Sequence, residues 1–506
     1  MLKLGDHPLT IEEIVSVARA NEKVTISENA KKLILSSNER LQKILHGALP
    51  TYGINTGFGI FSDRKIKNEE SNQLSRNLIL SHAVGTGPDL SVEITRAAML
   101  VRANTLAKGF SGVRLEVIAT IIEMLNKGVT PIIPSQGSLG SSGDLCPLSH
   151  MALVFTTDEK DDESESGFAV YKDERLSGKE AMERAGINRI ILGPKEGLAI
   201  NNGATFSAAI GAIAVFDATY LCDLADRSIA LTLEALLGCS TAFDARIHEA
   251  RGQEGQILSA NRIRESFSGS TFVDSTDSIQ DAYSLRCAPQ IHGGVRETID
   301  FSRKVIEREV NAATDNPLIF EPGIAISGGN FHGEPVGLVM DYLSIALCEL
   351  GAIAERRIFR MTDGKLNVGL PPMLVDSQEK AGLNSGMMML QYTAASLVLE
   401  NQTLATPDSV HSLPTSAEQE DHNANAMTAA RHAAMIIDNL QQILGIEIYM
   451  ATRAMDLRMR LQNGKMGRFS QMLYDKIRKE IPYQAGDTYW GPEVDKAKRK
   501  IGRAHV

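Results

Sequence analysis

What this 506-residue sequence lacks narrows its chemistry first. Its five cysteines, Cys146, Cys222, Cys239, Cys287 and Cys348, form no CxxC pair. They stand singly in apolar or loop contexts. That excludes a secreted disulfide framework and reads as the reduced thiols of a cytoplasmic protein. There is no basic excess: 52 Lys plus Arg face 62 Asp plus Glu, for a formal net charge of -10. Without a long basic patch, nucleic acid is not an expected partner. The opening MLKLGDHPLT has no apolar signal core. The longest apolar regions carry charges at helical intervals, so no membrane span is expected. No GK[ST] ending completes a phosphate loop. His332 and Glu334 lack an HExxH pattern or a partner cluster, so no metal site is expected.

What is present centres on Gly137 to His150, GSLGSSGDLCPLSH. Gly137, Gly140 and Gly143 alternate with Ser138, Ser141 and Ser142, and Pro131 and Pro134 stiffen the approach. One reading is a flexible turn before an apolar helix, with Asp144 as its cap. Against it, the loop lies between two strongly apolar segments. The order Gly140-Ser141-Ser142-Gly143-Asp144 lacks the last glycine of Gly-x-Ser-x-Gly, so Ser142 is a poor acyl nucleophile. What remains is chemistry of the backbone. In a compressed loop the Gly143 nitrogen can approach the Ser141 carbonyl. Cyclisation with loss of two waters would leave an imidazolone ring, with Ser142 converted to a dehydroalanine. Gly143 has no side chain to obstruct that closure.

This stretch resembles the cofactor loop of the histidine and aromatic amino acid ammonia-lyases, whose usual pattern is GS-x-G-A-S-G-D-L-x-P-L-x-H. Ser141 stands here for the commoner alanine, and Cys146 stands where alanine is frequent. Only the backbone carbonyl of Ser141 enters the ring, so the chemistry should survive. The resemblance implies 4-methylidene-imidazol-5-one, formed from Ser141-Ser142-Gly143, with no metal and no dissociable cofactor.

Other motifs follow in the family's order. TYGINTGFGIF, with Gly53, Gly57 and Gly59 too dense for a helix, reads as an ordered loop. The family signature YG-x-NTGFG makes its Tyr52 the catalytic base. A phenol, with an unperturbed pKa of about 10, needs activation for that role. His82 in SHAVGTG reads alone as a core histidine; the resemblance makes it a contact for a polar substrate ring. Asn202 in GLAINNG reads as a cap, and by resemblance lies beside the imidazolone. Ala204 replaces the usual threonine there. Gln280, Tyr283 and Arg286 recur at spacings that fit a helix face or a loop. An arginine fork matches a carboxylate, and QD-x-YS-x-R implies that Arg286 takes the substrate carboxylate while Gln280 and Tyr283 line the site. Glu309 to Pro317 resembles E-x-N-x-x-(S/T)DNP. In SGGNFH, Phe331 is implied as the aromatic neighbour of the cofactor, and His332 reads as structural. Met388 is a candidate for the ring pocket or a core methionine. Glu420 lies in QEDH, the form that histidine lyases carry, where aromatic lyases usually have NQD.

The chain's periodicity predicts Thr10 as a helix cap and a strand at Val24–Ser27. Helices are expected over Glu28–Leu45 and Val113–Leu125, the latter stopped by Gly128. Three long helices are predicted over Val336–Met361, Asn384–Leu399 and Ala424–Met459. The acidic run Asp158–Glu165 reads as a solvated loop, and the basic tail with Trp490 as peripheral. The expected fold is mainly α, a long-helix bundle of the histidine ammonia-lyase and aspartase-like type with a smaller loop-rich N-terminal part. Residues 1–200 would carry the tyrosine and imidazolone loops, and 201–506 the bundle and C-terminal helices. The resemblance, from about Leu9 to Pro492, implies elimination of ammonia from L-histidine to give trans-urocanate. It also implies a homotetramer whose active sites combine subunits. A tyrosine or phenylalanine lyase or an aminomutase is the alternative, and Glu420 argues against it. A fumarase-like lyase would need a lysine after its loop, and Asp144 to His150 has none. An inactive scaffold would retain both waters.

Overall fold

The computed structural model describes residues 1–46, 51–57 and 64–502. The end of TYGINTGFGIF, Phe58 to Phe61 with Gly59, lies outside the described residues. In chain order the first helices are α1 (Ile11–Arg19), α2 (Glu28–Leu45), α3 (Ser71–His82), α4 (Val92–Ala107), α5 (Leu115–Lys127) and α6 (Leu145–Phe155). Then come α7 (Gly178–Arg184), α8 (Glu196–Asn201), α9 (Thr205–Ala235), α10 (Ala245–Arg251), α11 (Glu254–Ser266) and α12 (Tyr283–Arg286). The last are α13 (Ala288–Glu309), α14 (Glu334–Thr362), α15 (Met388–Leu404), α16 (Ala426–Leu461), α17 (Arg468–Glu480) and α18 (Gly491–Ile501). Among the described residues, sheet is confined to short pairings, such as Leu2–Leu4 parallel to Val24–Ile26. The fold is mainly α, as the periodicity predicts.

Local chemistry sets many helix ends. Thr10 and Glu13 close a capping box on α1. The Ser27 hydroxyl accepts from the Ala30 N–H at 3.1 Å and starts α2. Gly128, at φ 81°, ends α5. The core is built by α9, α13, α14 and α16, each packed on its neighbours, with α11 and α15 flanking. By length and composition α9 and α14 could each cross a membrane, which the charges within them masked in the sequence. Their apolar windows are 78% and 67% buried against other parts of the chain. They are bundle helices.

One helix boundary differs from the sequence reading, and two surface segments have anchors that the reading did not name. First, α15 starts at Met388 and not at Asn384. The Asp487 carboxylate holds the N–H groups of Ser385 and Gly386 at 2.7 and 2.8 Å, and Gly386 sits at φ 62°. Second, the acidic run is pinned to the fold. Asp161 pairs with Arg189 and, at 3.2 Å, with Lys179, while Glu165 pairs with Arg76 at 3.4 Å. Third, the tail is docked. α18 packs on α16, and Trp490 lies 6.4 Å from the Tyr449 ring with the Arg453 guanidinium 5.2 Å above it.

Two buried acids on the bundle helices lead to testable predictions. Arg357 grips Glu447 with Nε at 2.5 Å and Nη2 at 2.9 Å, and Thr232 Oγ1 adds a bond at 3.1 Å. Both charged side chains are fully buried. Glu447→Ala strands the guanidinium and is expected to cost about 3–5 kcal/mol in chemical denaturation. Glu234 is also buried, and burial pushes it up to about 7 against the opposing N–H of Gly467. Its folded value lies above its ordinary 4.5, so the stability linked to its protonation is present in acid and lost as pH rises through about 7. The wild-type protein should lose up to about 3 kcal/mol relative to Glu234→Gln across that window. Denaturation midpoints of both proteins against pH check this.

Candidate active site

The loop from Gly137 to Asp144 runs along the segment between α8 and α9. Gly143 and Gly203 form a parallel bridge, and Asp144 N donates to Gly203 O at 2.9 Å. Gly143 has φ 77°, and a Cβ there would stand 2.1 Å from the Gly203 carbonyl carbon. Only glycine fits. The Ser142 carbonyl oxygen accepts from Asn202 Nδ2 at 3.0 Å and from Gly203 N at 3.2 Å. These two donors form an oxyanion-hole-like pair.

Helix starts converge on the same loop. α6 begins at Leu145 itself. Leu139 O accepts from Asn425 N, just before α16, at 2.8 Å. Gly140 O accepts from Gly333 N, just before α14, at 2.9 Å. With Gly203 before α9, four helix N-termini face the serines and give the loop a positive field.

Asp144 departs from its expected role. Its carboxylate makes no capping bond on α6. It accepts instead from Ser207 N at 2.8 Å and Ser207 Oγ at 3.0 Å, capping the first turn of α9, where Ala204 has no oxygen to do so. It also accepts from Ser138 Oγ at 2.8 Å. Burial pushes its pKa up, and these donors oppose the shift. Beneath lies Arg102 on α4, which had no motif to mark it. Its fully buried guanidinium donates to Asn202 O at 2.6 Å, to Thr205 Oγ1 at 3.1 Å and to Ala199 O. Burial lowers it to about 10, while Asp315 and Asp144 oppose. Arg102 thus fixes the backbone that carries Asn202. Glu309, at the end of α13, is pushed up to about 7 by burial and then by the Asp144 charge.

Two adjoining chambers open over the loop. One, of about 690 Å³, includes Tyr52, His82, Ser142, Asn202, Ser416 and Glu420 in its wall. The other, of about 470 Å³, includes Ser141, Phe331 and His332 and shares Tyr52, Ser142, Leu198, Asn202 and Glu420. Tyr52 rides on a loop whose polar residues fold inward. Asn55 Oδ1 accepts from Thr51 N at 2.6 Å, and Thr56 Oγ1 accepts from Gly53 N at 3.2 Å. His82 ends α3, with Nδ1 at 3.0 Å from Ser81 Oγ. Burial pushes its pKa down, against the Glu420 charge.

Glu420 reaches the serines from a tight turn. Thr415 and Glu420 pair through their backbones at 2.8 and 3.2 Å. Its carboxylate accepts from Ser141 Oγ at 2.8 Å and from Ser142 Oγ at 2.7 Å.

Gln280, Tyr283, Arg286 and Met388 line neither chamber. Gln280 and Tyr283 are exposed, and the Arg286 guanidinium lies 4.8 Å over the Tyr283 ring. Only Tyr283–Arg286 of that motif is helical. Ser284 O accepts from Arg357 Nη1 at 3.4 Å, near the far end of α14. At about 1.5 Å per residue, Gly333 to Arg357 spans about 35 Å, which separates Arg286 from the serine loop of its own chain.

The family model for aromatic amino acid lyases matches residues 9–479. The chain belongs to the aromatic amino acid lyase family. A histidine ammonia-lyase from Caldanaerobacter subterraneus subsp. tengcongensis is 49% identical over 476 residues, 94% of this chain and 91% of that protein. Among solved structures, the histidine ammonia-lyase from Trypanosoma cruzi aligns with a TM-score of 0.89 at 35% identity, covering 99% of this chain and 93% of that one. A tyrosine aminomutase from Streptomyces globisporus aligns with 0.92 at 32%, covering 99% and 96%. One long-helix fold therefore serves more than one reaction in this family, and the substrate has to be argued from the site.

Proposed function

We propose that this protein is a histidine ammonia-lyase, eliminating ammonia from L-histidine to give trans-urocanate in the first step of histidine breakdown. The observation that carries the reading is Glu420, an acid in the wall of the chamber that also holds Tyr52, His82 and Ser142. An imidazole carries N–H and N groups that a carboxylate and a neutral histidine can meet; a phenyl ring carries neither. The 49% identical relative bears the same activity in its name.

Ser141, Ser142 and Gly143 fit the proposed cofactor. Gly143 has room for no side chain, and the Ser142 carbonyl oxygen already has two donors. The 4-methylidene-imidazol-5-one formed from them supplies an electrophile for the substrate amino group. Asn202 Nδ2 and Gly203 N withdraw electron density through the Ser142 oxygen. Tyr52 takes the β-proton, and Phe331 closes the second chamber. His82, held neutral near pH 7 by burial, and Glu420 orient the imidazole. Removing one of the two donors with Asn202→Ala is expected to lower kcat by about 10²–10³-fold, measured by ammonia release.

The substrate carboxylate goes to Arg286, Gln280 and Tyr283 line the site and Met388 borders the ring pocket, all contributed by another subunit of a homotetramer. Support comes from their absence from both chambers of their own chain. Residues 1–200 supply the tyrosine and imidazolone loops, and 201–506 the bundle that joins subunits. Five free thiols suit a reducing cytoplasm. The test is ammonia release from L-histidine, L-tyrosine and L-phenylalanine in parallel. Release from histidine alone supports the reading. Release from tyrosine or phenylalanine moves it to the aromatic branch.

A further inference from the structure

Glu420 has a contact that substrate binding does not explain. Its two carboxylate oxygens are taken by the hydroxyls of the residues from which the cofactor is built, at 2.8 Å for Ser141 and 2.7 Å for Ser142. A group reserved for a substrate imidazole has no need of the Ser142 hydroxyl. That hydroxyl is, however, the oxygen that leaves when Ser142 becomes a dehydroalanine. Hydroxide is a poor leaving group, and the Ser142 Cα–H is a weak acid. The step therefore needs a proton acceptor and a proton donor at one place.

We propose that Glu420 is the catalytic proton relay for the dehydration of Ser142, before it ever meets substrate. This rests on the reading that Ser141-Ser142-Gly143 cyclises. The Ser142 Cα–H bond breaks, and its electron pair becomes the Cα=Cβ bond as the Cβ–Oγ bond breaks. The Cα proton passes to the carboxylate, directly or through one water. The carboxyl so formed gives a proton to the departing Oγ. One water leaves, Glu420 returns as carboxylate, and no co-reactant is consumed.

The geometry around Glu420 suits this work. The Thr415–Glu420 backbone pairing fixes the root of the side chain. Ser141, where alanine would offer no hydroxyl, holds the second carboxylate oxygen and so keeps the first on Ser142. The four helix N-termini around the loop stabilise negative charge as it develops at the Ser142 backbone.

The experiment follows intact mass over time after synthesis of the full-length chain, for wild type, Glu420→Gln and Glu420→Ala. Circular dichroism confirms that each is folded. Wild type should become lighter by two waters. Glu420→Gln keeps the size of the side chain and one acceptor oxygen, its amide nitrogen can donate to the other serine hydroxyl, and it cannot take up a proton. It should lose the Ser142 water about 10²-fold or more slowly and stay heavier by at least one water. Added formate, a small carboxylate that fits the space left in Glu420→Ala, should restore the loss. A positioning role alone would give no rescue by formate. Loss of both waters from Glu420→Gln at the wild-type pace would overturn the relay, as would a folded Glu420→Ala that formate leaves unchanged. Should wild type itself lose no water, the cyclisation reading fails, an outcome distinct from the failure of the relay.

Discussion

Replacing Tyr52 with phenylalanine is expected to lower kcat for L-histidine by about 10²–10⁴-fold, the usual contribution of a positioned general base. The phenyl ring keeps the bulk of the side chain. The loop beneath it is held by Asn55 and Thr56, through bonds to Thr51 and Gly53 that do not use the phenol. The variant should also become lighter by two waters, because the proposed ring draws on Ser141, Ser142 and Gly143. Stopped-assay ammonia release, together with intact mass, separates these expectations. A Tyr52→Phe protein with both full activity and the two-water loss would remove Tyr52 from the reaction.

The second large effect concerns Arg286. Arg286→Ala is expected to lower kcat/KM by about 30-fold or more, the equivalent of about 2 kcal/mol for truncating one partner of a buried charge pair. Most of that loss should appear in KM, since the substrate carboxylate is bound in the ground state as well as in the transition state. Its position makes a sharper prediction. About 35 Å of α14 separates Arg286 from the serine loop of the same chain, so under the proposed role each site takes its arginine from another subunit. Co-expressing Tyr52→Phe with Arg286→Ala should then yield mixed oligomers in which some sites hold both wild-type residues. Their activity should exceed that of either variant alone. Mixed oligomers no more active than the separate variants would place Tyr52 and Arg286 on one subunit.

The two residues also mark how far the sequence can be read. Thr10, Ser27 and Gly128 act on neighbours a few positions away, so the ends of α1, α2 and α5 were legible. The start of α15 was not, because it is set by Asp487, a hundred positions downstream. Asp144 follows the same logic. Its place before an apolar helix reads as a local cap, yet its carboxylate caps α9, whose Ser207 lies 63 residues on. Arg102 carried no motif. An arginine within the apolar face of α4 is a signal only once its buried carbonyl partners are known.

The site divides along a similar line. Tyr52, His82, Ser141, Ser142, Gly143, Asn202, Phe331 and Glu420 were named from motifs, and the fold brings them to one loop and its two chambers. Gln280, Tyr283, Arg286 and Met388 were named in the same way, but a single chain holds them elsewhere. Motifs record which residues serve a site and not which copy of the chain supplies them. The bonds from Glu420 to both serines also lay beyond the motif, since QEDH points only toward the substrate ring.

The most direct test of the account is the ultraviolet spectrum of the purified protein mixed with L-histidine. The account predicts steady growth of the urocanate band, with ammonia released in equal amount and no comparable change with L-tyrosine or L-phenylalanine. A coumarate or cinnamate band in place of urocanate, or no change with L-histidine from a chain already lighter by two waters, would contradict it.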